Sequence, residues 1–176
     1  HRTPFRSPTA GLVAFWNGPA SGRHRLDDGD SKLPGYRGEL GRDVVSIAEA
    51  LSTGGYRRYM SGKWHVTKDK GPDGPKHNWP RQRGFDRFFG TITGAGSFYT
   101  PSSLTLENTQ LKEYPADFFY SDAINDTTVK YIEEHSEKSA DKPFFCYVAH
   151  TAPHWPLHAL EEDIDKYRKR YLGGGY

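Results

Sequence analysis

Cysteine is almost absent from this sequence. A single thiol, Cys146, stands in a chain of 176 residues. One thiol cannot form an internal disulfide framework and cannot build a cysteine-based zinc site by itself, so the sequence excludes both. Because Cys146 lies inside an apolar run, we interpret it as a small core residue.

Long apolar runs and an excess of one charge are also missing. No apolar run approaches the ~20 residues that a membrane helix needs, so we predict no membrane span. The 24 basic and 22 acidic residues nearly balance, for a formal charge of +2. Nucleic-acid binding calls for a clustered basic face. Arg81, Arg83 and Arg87 are a basic group near aromatic residues, and we interpret them as part of a solvated loop. We therefore expect no nucleic-acid partner.

Aromatic residues are abundant, whereas hydrophobic residues as a whole are scarce. Hydrophobic residues make up 35% of the chain and aromatic residues 14%. A core built from this composition rests on Phe, Tyr and Trp rather than on Leu and Val. The length suits one globular domain or a piece of a larger one.

The first regular pattern in the chain predicts half of an α/β repeat. Val44, Ile47, Ala48 and Leu51 have the spacing of an amphipathic helix, which we place after an N-cap at Asp43 and before a glycine stop at 54–55. Residues 56–61 then read as a short strand. The segment 67–83 reads as a polar loop, residues 84–90 as a short aromatic element, and residues 91–119 as irregular with one short hairpin.

A second helix and strand follow. We predict a helix capped by Ser121, with one face made of Ile124, Thr128, Tyr131, Ile132 and His135. Residues 144–149 are continuously apolar, which is typical of a parallel strand covered on both faces. Residues 161–171 read as a charged surface helix. Together these elements predict an α/β fold with a mostly parallel sheet flanked by helices.

Polar residues follow directly after both predicted strands. Lys63 and His65 come after the first strand, and His154 comes after the second. Ligands of open α/β sheets gather beyond the carboxyl ends of the strands. One lysine and two histidines offer a donor-rich, cationic pocket that suits a tetrahedral oxyanion such as sulfate or phosphate. A solvated lysine and hydrogen-bonded packing histidines are the competing interpretation. Ser97, in a glycine-rich loop, is a further candidate for substrate contact.

Several segments in order resemble one family. Residues 62–66 (Gly-Lys-Trp-His-Val) resemble the second signature of the sulfatase family. Residues 84–90 are similar to its Gly-Phe-Asp-x-Phe-x-Gly element. The stretch 143–156 is similar to its later strand and Pro-His loop. Bacterial arylsulfatases are the subgroup that these segments resemble most.

The resemblance implies a fold and a chemistry. The fold is a partial alkaline-phosphatase-like sandwich, truncated at both ends. The family hydrolyses sulfate esters with a formylglycine, made from a cysteine, and a bound Ca2+. By this resemblance Lys63 contacts the sulfate and the nucleophile, His65 supports the formylglycine, and His154 binds the sulfate.

The sequence departs from the family at the nucleophile and the metal. The nucleophile motif is Cys-x-Pro-x-Arg, and its nearest counterpart here, residues 6–10, reads Arg-Ser-Pro-Thr-Ala. We therefore divide the chain into an irregular segment at 1–33, for which a frameshift is one hypothesis, and a partial catalytic domain at 34–176. The regions that carry the family's Asp-Asp and Asp-Asn calcium ligands lie outside this chain, and we do not count the Asp pair at 27–28. We expect no metal ligands and no formylglycine here.

The sequence thus predicts a fragment of a sulfuric ester hydrolase that is inactive by itself. Its partner would be a sulfate ester, either a small molecule or a carbohydrate. Two alternatives remain open: a fragment of a phosphodiesterase or phosphonate monoester hydrolase of the same superfamily, and a non-catalytic remnant. Family analogy predicts a periplasmic or secreted location. The oligomeric state and the natural substrate stay open.

Overall fold

The computed structural model describes residues 15–16 and 39–171. The sequence predictions for residues 6–10, for the Asp pair at 27–28 and for the boundary at 33–34 lie outside the described residues. The described elements, in chain order, are β1 (Phe15–Trp16), β2 (Val45–Ser46), α1 (Ile47–Ser52), β3 (Arg57–Gly62), a 3-10 helix (Pro80–Arg83), β4 (Arg87–Thr91), β5 (Leu104–Leu106), β6 (Thr109–Gln110), α2 (Tyr120–Lys138), β7 (Phe144–Ala149) and α3 (Glu161–Tyr171).

The main sheet has five strands in the order β6-β5-β4-β3-β7. Strand β3 lies at the centre of its parallel half and pairs in parallel with both β4 and β7. Strands β5 and β6 extend the sheet as an antiparallel hairpin. The α/β fold and the parallel pairing of the strands around β3 are as predicted, and the hairpin makes the sheet mixed. Strands β1 and β2 form a separate antiparallel pair.

The first helix begins three residues later than the sequence suggested. We expected Asp43 to be its N-cap, but the cap is Ser46, whose Oγ accepts a hydrogen bond from the backbone N–H of Glu49 at 2.9 Å. The Glu49 carboxylate accepts in return from the Ser46 N–H at 2.6 Å. This reciprocal capping box satisfies two backbone donors, which a cap at Asp43 would not have done.

Two aromatic-rich cores pack on the sheet. The larger one is made of Leu40, Val44, Ala48, Met60, Trp64, Val66, Trp79, Phe85, Phe88 and Ile92. The other lies under α2 and is made of Tyr59, Phe89, Phe98, Leu104, Tyr120, Ile124 and Tyr131. Neighbouring residues of β3 and β4 alternate between the two clusters because successive strand side chains point to opposite faces. The expected reliance on aromatic residues is confirmed.

Helix α2 begins at Tyr120, one residue before the predicted cap, Ser121, and its N-cap position is Phe119 without a side-chain hydrogen bond. Its buried face includes Ile124, Tyr131 and His135, as expected. The ring of His135 lies between the Tyr59 hydroxyl and the backbone oxygen of Lys142, both at 2.9 Å. None of the helices within residues 39–171 is long and apolar enough to cross a membrane.

Strand β7 is more exposed than the sequence predicted. We expected a strand covered on both faces, but Phe144 is 42% exposed and Val148 is 38% exposed. Among the described strands, β7 pairs only with β3 and so forms an edge of the sheet. Cys146 is half-buried on this strand, and burial raises the pKa of its thiol.

The predicted solvated arginine loop is wrong. Arg83 is only 5% exposed. It donates to the backbone oxygen of Gly41 at 3.3 Å, to Asn78 Oδ1 at 3.0 Å and to the backbone oxygen of Val44. Arg87 lies between two carboxylates, those of Glu107 and Glu134, at 2.7 Å each. The sequence suggested solvation because local composition does not reveal buried carbonyl acceptors that are distant in the chain.

Candidate functional site

Strands β3 and β7 bring the predicted site loops to one edge of the sheet. The two strands are parallel neighbours, with Gly62 opposite Ala149. The hydrogen bonding continues past the strands, since the Lys63 N–H donates to the Ala149 oxygen at 2.8 Å. Lys63 and the loop that begins at His150 therefore leave the sheet side by side. This is the carboxyl edge, where open α/β sheets bind ligands.

The glycine before Lys63 is required by close backbone contact. Gly62 has a φ of 113°, and a Cβ there would lie 2.1 Å from the Ala149 oxygen. On the other side, a Cβ on Gly90 would lie 1.8 Å from the Gly62 oxygen. Side chains at these positions would force β3 away from one of its neighbours. The glycines therefore let three strand ends approach closely under the site.

Lys63 and Trp64 are both buried. Lys63 is 5% exposed and Trp64 is 1% exposed. The Trp64 indole donates to the backbone oxygen of Asn78 at 2.6 Å, and its ring packs edge-on against Phe85. Because the indole is fixed in the core, the backbone at Lys63 is held at the sheet edge. This contact shows why a tryptophan suits the position between Lys63 and His65.

His65 turns sharply out of the strand direction. Its φ of 55° is in the left-handed region, and its N–H donates to the Ile92 oxygen at 3.2 Å. The imidazole lies directly against Gly94, where a Cβ would be 2.1 Å from His65 Cε1. His65 therefore contacts the glycine-rich loop that follows β4. A strained backbone of this kind is often found at functional sites.

Ser97 has a local structural role in that loop. Its Oγ accepts hydrogen bonds from the backbone N–H groups of Tyr99, at 3.1 Å, and Thr100, at 3.0 Å. The residue also lines a narrow cavity together with Thr151, from the loop after β7. The turn uses Oγ only as an acceptor, so its O–H can still donate, and the substrate contact stays a prediction.

His154 is exposed at the end of a tight turn. Its N–H donates to the Thr151 oxygen at 2.8 Å, and its Nδ1 lies 2.6 Å from the Trp155 oxygen. A carbonyl oxygen only accepts, so Nδ1 carries a proton and Nε2 is the atom left for a ligand. Neutral, Nε2 accepts a hydrogen bond; protonated, it donates one to an anion.

The loops after β4 and β7 are tied to each other. The Phe98 N–H donates to His158 Nδ1 at 3.2 Å, and the Tyr99 hydroxyl donates to the Ala159 oxygen at 2.8 Å. The Tyr99 and His158 rings are 5.3 Å apart between centroids. These contacts hold the Ser97 and His154 loops at the same edge as Lys63. That Lys63 and His154 grip one anion stays a prediction.

Sequence reasoning missed a group of possible metal ligands. One ligand atom each from Glu39, Asp69 and His77 lies within 4.8 Å of the other two. Lys68 Nζ already lies 3.0 Å from the Glu39 carboxylate. Calcium takes about 6–8 oxygen ligands, whereas this set offers a nitrogen and two carboxylates, so it does not fit a calcium site. No short motif joins the three residues, which explains why the sequence did not reveal the group.

Comparisons with known proteins agree on one family. The family model described as Sulfatase matches residues 20–174. The chain is 34% identical over 157 residues to the uncharacterized sulfatase PB10D8.02c of Schizosaccharomyces pombe, covering 80% of this chain and 26% of that protein. It is 27% identical over 150 residues to the arylsulfatase of Klebsiella aerogenes, covering 80% of this chain and 30% of that protein. The chain thus spans less than a third of these relatives.

Solved structures show the same fold. Ps i-CgsB, solved in complex with k-i-k-neocarrahexaose, aligns with a TM-score of 0.71 at 23% identity, over 94% of this chain and 38% of that one. BT4656, solved in complex with D-glucosamine-2-N,6-O-disulfate, aligns with a TM-score of 0.53 at 22% identity, over 74% of this chain and 23% of that one. The expected alkaline-phosphatase-like fold, covered in part, is confirmed.

Proposed function

The chain belongs to the sulfatase family, and on that premise we propose that it is the part of a sulfuric ester hydrolase that holds the sulfate group. Lys63 and His154 bind the sulfate oxygens, and His65 positions the nucleophile side of the site. The parent reaction is hydrolysis of a sulfate ester, of the arylsulfatase type. The chain itself is a piece of the catalytic unit and does not turn over substrate.

One observation carries this proposal. The backbone hydrogen bond from Lys63 to Ala149 places the lysine beside the start of the loop that holds His154. A lysine and a histidine are thus carried by adjacent segments at the carboxyl edge of one parallel strand pair. The low exposure of Lys63, 5%, strengthens its attraction for an anion because surrounding water screens the charge less.

Each residue has a distinct task in binding the ester. The Lys63 ammonium offsets negative charge on the sulfate oxygens, which supports both binding and the transition state. His154 presents Nε2, because Nδ1 faces the Trp155 oxygen. With a proton on Nε2 it assists the leaving alcohol. His65 is held against Gly94, and in a complete family member it would orient the nucleophile. In a complete family member, formylglycine supplies the attacking oxygen and Ca2+ offsets charge.

The absence of a nucleophile supports the proposed inactivity of this chain. Its sequence has no Cys-x-Pro-x-Arg motif, and its one cysteine is Cys146. That thiol lies within β7, where burial raises its pKa and disfavours the reactive thiolate. Loss of a nucleophile commonly removes several orders of magnitude of rate.

A carbohydrate sulfate is the substrate class we favour. Two structural neighbours are described with carbohydrate ligands, the neocarrahexaose of Ps i-CgsB and the glucosamine disulfate of BT4656. Phosphate and phosphonate esters are the alternative, since lysine and histidine recognise any tetrahedral oxyanion. Competition between sulfate and phosphate separates the two.

The experiment is an anion titration of the 15N-labelled chain, followed by NMR at constant ionic strength. We expect sulfate to bind, and Lys63→Ala to weaken binding on the order of tenfold or more, because a charge-assisted contact is lost. Lys112→Ala, an exposed lysine in a distant loop, is the matched control. Equal binding by the Lys63→Ala and Lys112→Ala variants would refute the site, and tighter binding of phosphate than of sulfate would favour the alternative. We expect no turnover of 4-nitrophenyl sulfate with added Ca2+.

A further inference from the structure

A narrow cavity opens between the loops that follow β4 and β7. It is lined mainly by small and hydroxyl-bearing residues, among them Thr91, Thr93, Ser97, Tyr120 and Thr151. Gly94 also lines it, and the His65 imidazole lies against Gly94, so the cavity borders the loop that follows Lys63. It therefore belongs to the edge at which the sulfate group is proposed to bind.

Most of the hydroxyl groups around this cavity are already used. The Tyr120 hydroxyl accepts from the Thr91 N–H at 2.7 Å and donates to Thr91 Oγ1 at 3.2 Å. Thr93 Oγ1 lies 2.6 Å from Ser103 Oγ. Ser97 Oγ accepts two backbone N–H groups. Among the described residues, every buried hydroxyl oxygen of the cavity has a partner except one.

Thr151 is the exception. The residue is 8% exposed, and its Oγ1 is buried without a hydrogen-bond partner among the described residues. A buried hydroxyl without a partner costs free energy, so native proteins rarely keep one without a reason. A ligand that completes the hydrogen bond is one such reason.

The surroundings of Thr151 are compatible with an anion as that ligand. No carboxylate from the described residues lines the cavity. The backbone oxygen of Thr151 accepts a hydrogen bond from the His154 N–H at 2.8 Å, so the turn fixes the two residues relative to each other. A hydroxyl is a good donor to an oxyanion, and it adds no charge.

We propose that Thr151 is a substrate-binding residue whose Oγ1–H donates a hydrogen bond to an oxygen of the sulfate group. The inference rests on the proposed function. It adds a neutral donor from the β7 loop to the cationic groups Lys63 and His154. The buried hydroxyl is then preorganised for binding. Burying it without a partner destabilises the free protein, and the hydrogen bond to the anion removes that destabilisation.

The test compares Thr151→Val, which replaces the hydroxyl by a methyl group of similar size, with Thr151→Ser, which keeps it. The 176-residue chain is titrated with sodium sulfate against a sodium chloride background, and affinity is measured by NMR. We expect Thr151→Val to weaken sulfate binding on the order of tenfold, the loss of one hydrogen bond to a charged group. We expect Thr151→Ser to stay within about twofold. Thr109→Val, on the exposed strand β6, is the control and should match the wild type.

A second measurement separates a binding role from a packing role. Without sulfate, Thr151→Val should raise the midpoint of thermal unfolding, because it removes a buried hydroxyl that has no partner. A purely structural hydroxyl would give the opposite sign. If valine prevents folding, Thr151→Ala supplies the affinity measurement instead.

The outcomes also distinguish this inference from the proposed function. Wild-type sulfate affinity in Thr151→Val, together with weakened binding in Lys63→Ala, overturns the inference alone and indicates that the hydroxyl holds a water. Absence of sulfate binding by the wild-type chain overturns both. Weakened binding in Thr151→Val and Lys63→Ala, with wild-type binding in Thr109→Val, supports both.

Discussion

Two regions of this molecule treat polar and apolar groups in opposite ways. Around the 3-10 helix, a charged side chain is buried: Arg83 is 5% exposed and donates to four acceptors, on Gly41, Val44, Glu49 and Asn78. Beyond β7, large apolar side chains are open to solvent: Trp155 is 73% exposed and Leu157 is 76% exposed. In the first region, residues that are distant in the chain supply the acceptors of the buried charge. The second leaves apolar surface without a covering partner among the described residues.

The two regions differ in where their side chains find contact partners. In the first region, the side chains of Trp64, Asn78 and Arg83 donate to oxygens that lie within residues 39–83. Among the described strands, β7 pairs only with β3, and the apolar side chains of Phe144 and Val148 are exposed on it. Such an edge favours association with other strands, including aggregation. The site lies at the junction, with Lys63 held by the first region and His154 by the second.

The largest expected effect is on the buried arginine. We expect Arg83→Met to lower the free energy of unfolding by about 3–5 kcal/mol, because it leaves the backbone oxygens of Gly41 and Val44 and the amide of Asn78 without their partner. Arg81→Met, at a half-exposed position two residues away, should cost about 1 kcal/mol or less. Urea unfolding measures both. Equal costs would mean that the two regions do not differ in the way described.

A pair of tryptophans gives a direct comparison of the two regions. We expect Trp64→Phe to lower the free energy of unfolding by about 2 kcal/mol, because it removes the indole donor to the Asn78 oxygen and leaves a small void. Trp155→Phe should change it by no more than about 0.5 kcal/mol, since that ring is mostly in solvent. Thermal unfolding followed by circular dichroism checks this. A larger loss for Trp155→Phe would show that the exposed loop is more important for stability than its packing indicates.

The smallest expected effect is a pH dependence of stability that arises from Asp86, the residue before β4, whose carboxylate pairs with Arg58 of β3. Burial alone would raise the pKa of Asp86, but side-chain and backbone hydrogen bonds from Arg58 outweigh it, so the net pKa lies below its ordinary value. A lowered carboxyl pKa gives stability that is present above the unfolded value, near 4, and is lost as the pH falls through the folded value.

We therefore expect Asp86→Asn to remove about 1 kcal/mol of stability at neutral pH and to make less difference in acid. The measurement is the urea midpoint between about pH 2 and 7. Asp141→Asn, on an exposed turn before β7, is the control. A constant difference between Asp86→Asn and the wild type across this range would refute the assigned cause.

Strands and helices were predicted well where a short stretch of sequence carries the pattern. The strands at 57–62 and 144–149, and the helix that contains Ile124 and Tyr131, follow from short local patterns: a glycine stop, a continuous apolar run and a helical spacing of apolar residues. It failed where the deciding partner is distant in the chain. The burial of Arg83 depends on carbonyls 39 and 42 residues away. The exposure of β7 depends on which strands lie beside it, which its own composition does not state.

The sequence alone determined the family and the candidate anion ligands, because the motif at 62–66 and the Pro-His loop are contiguous and their residue types are specific. The tertiary structure was needed to show that β3 and β7 are parallel neighbours and that Thr151 Oγ1 is buried without a partner in the part of the chain that the structure describes. The tertiary structure also places ligand atoms of Glu39, Asp69 and His77 within 4.8 Å of one another. The physical reason is that hydrogen bonding and burial are set by neighbours in space, and those neighbours are remote in the chain.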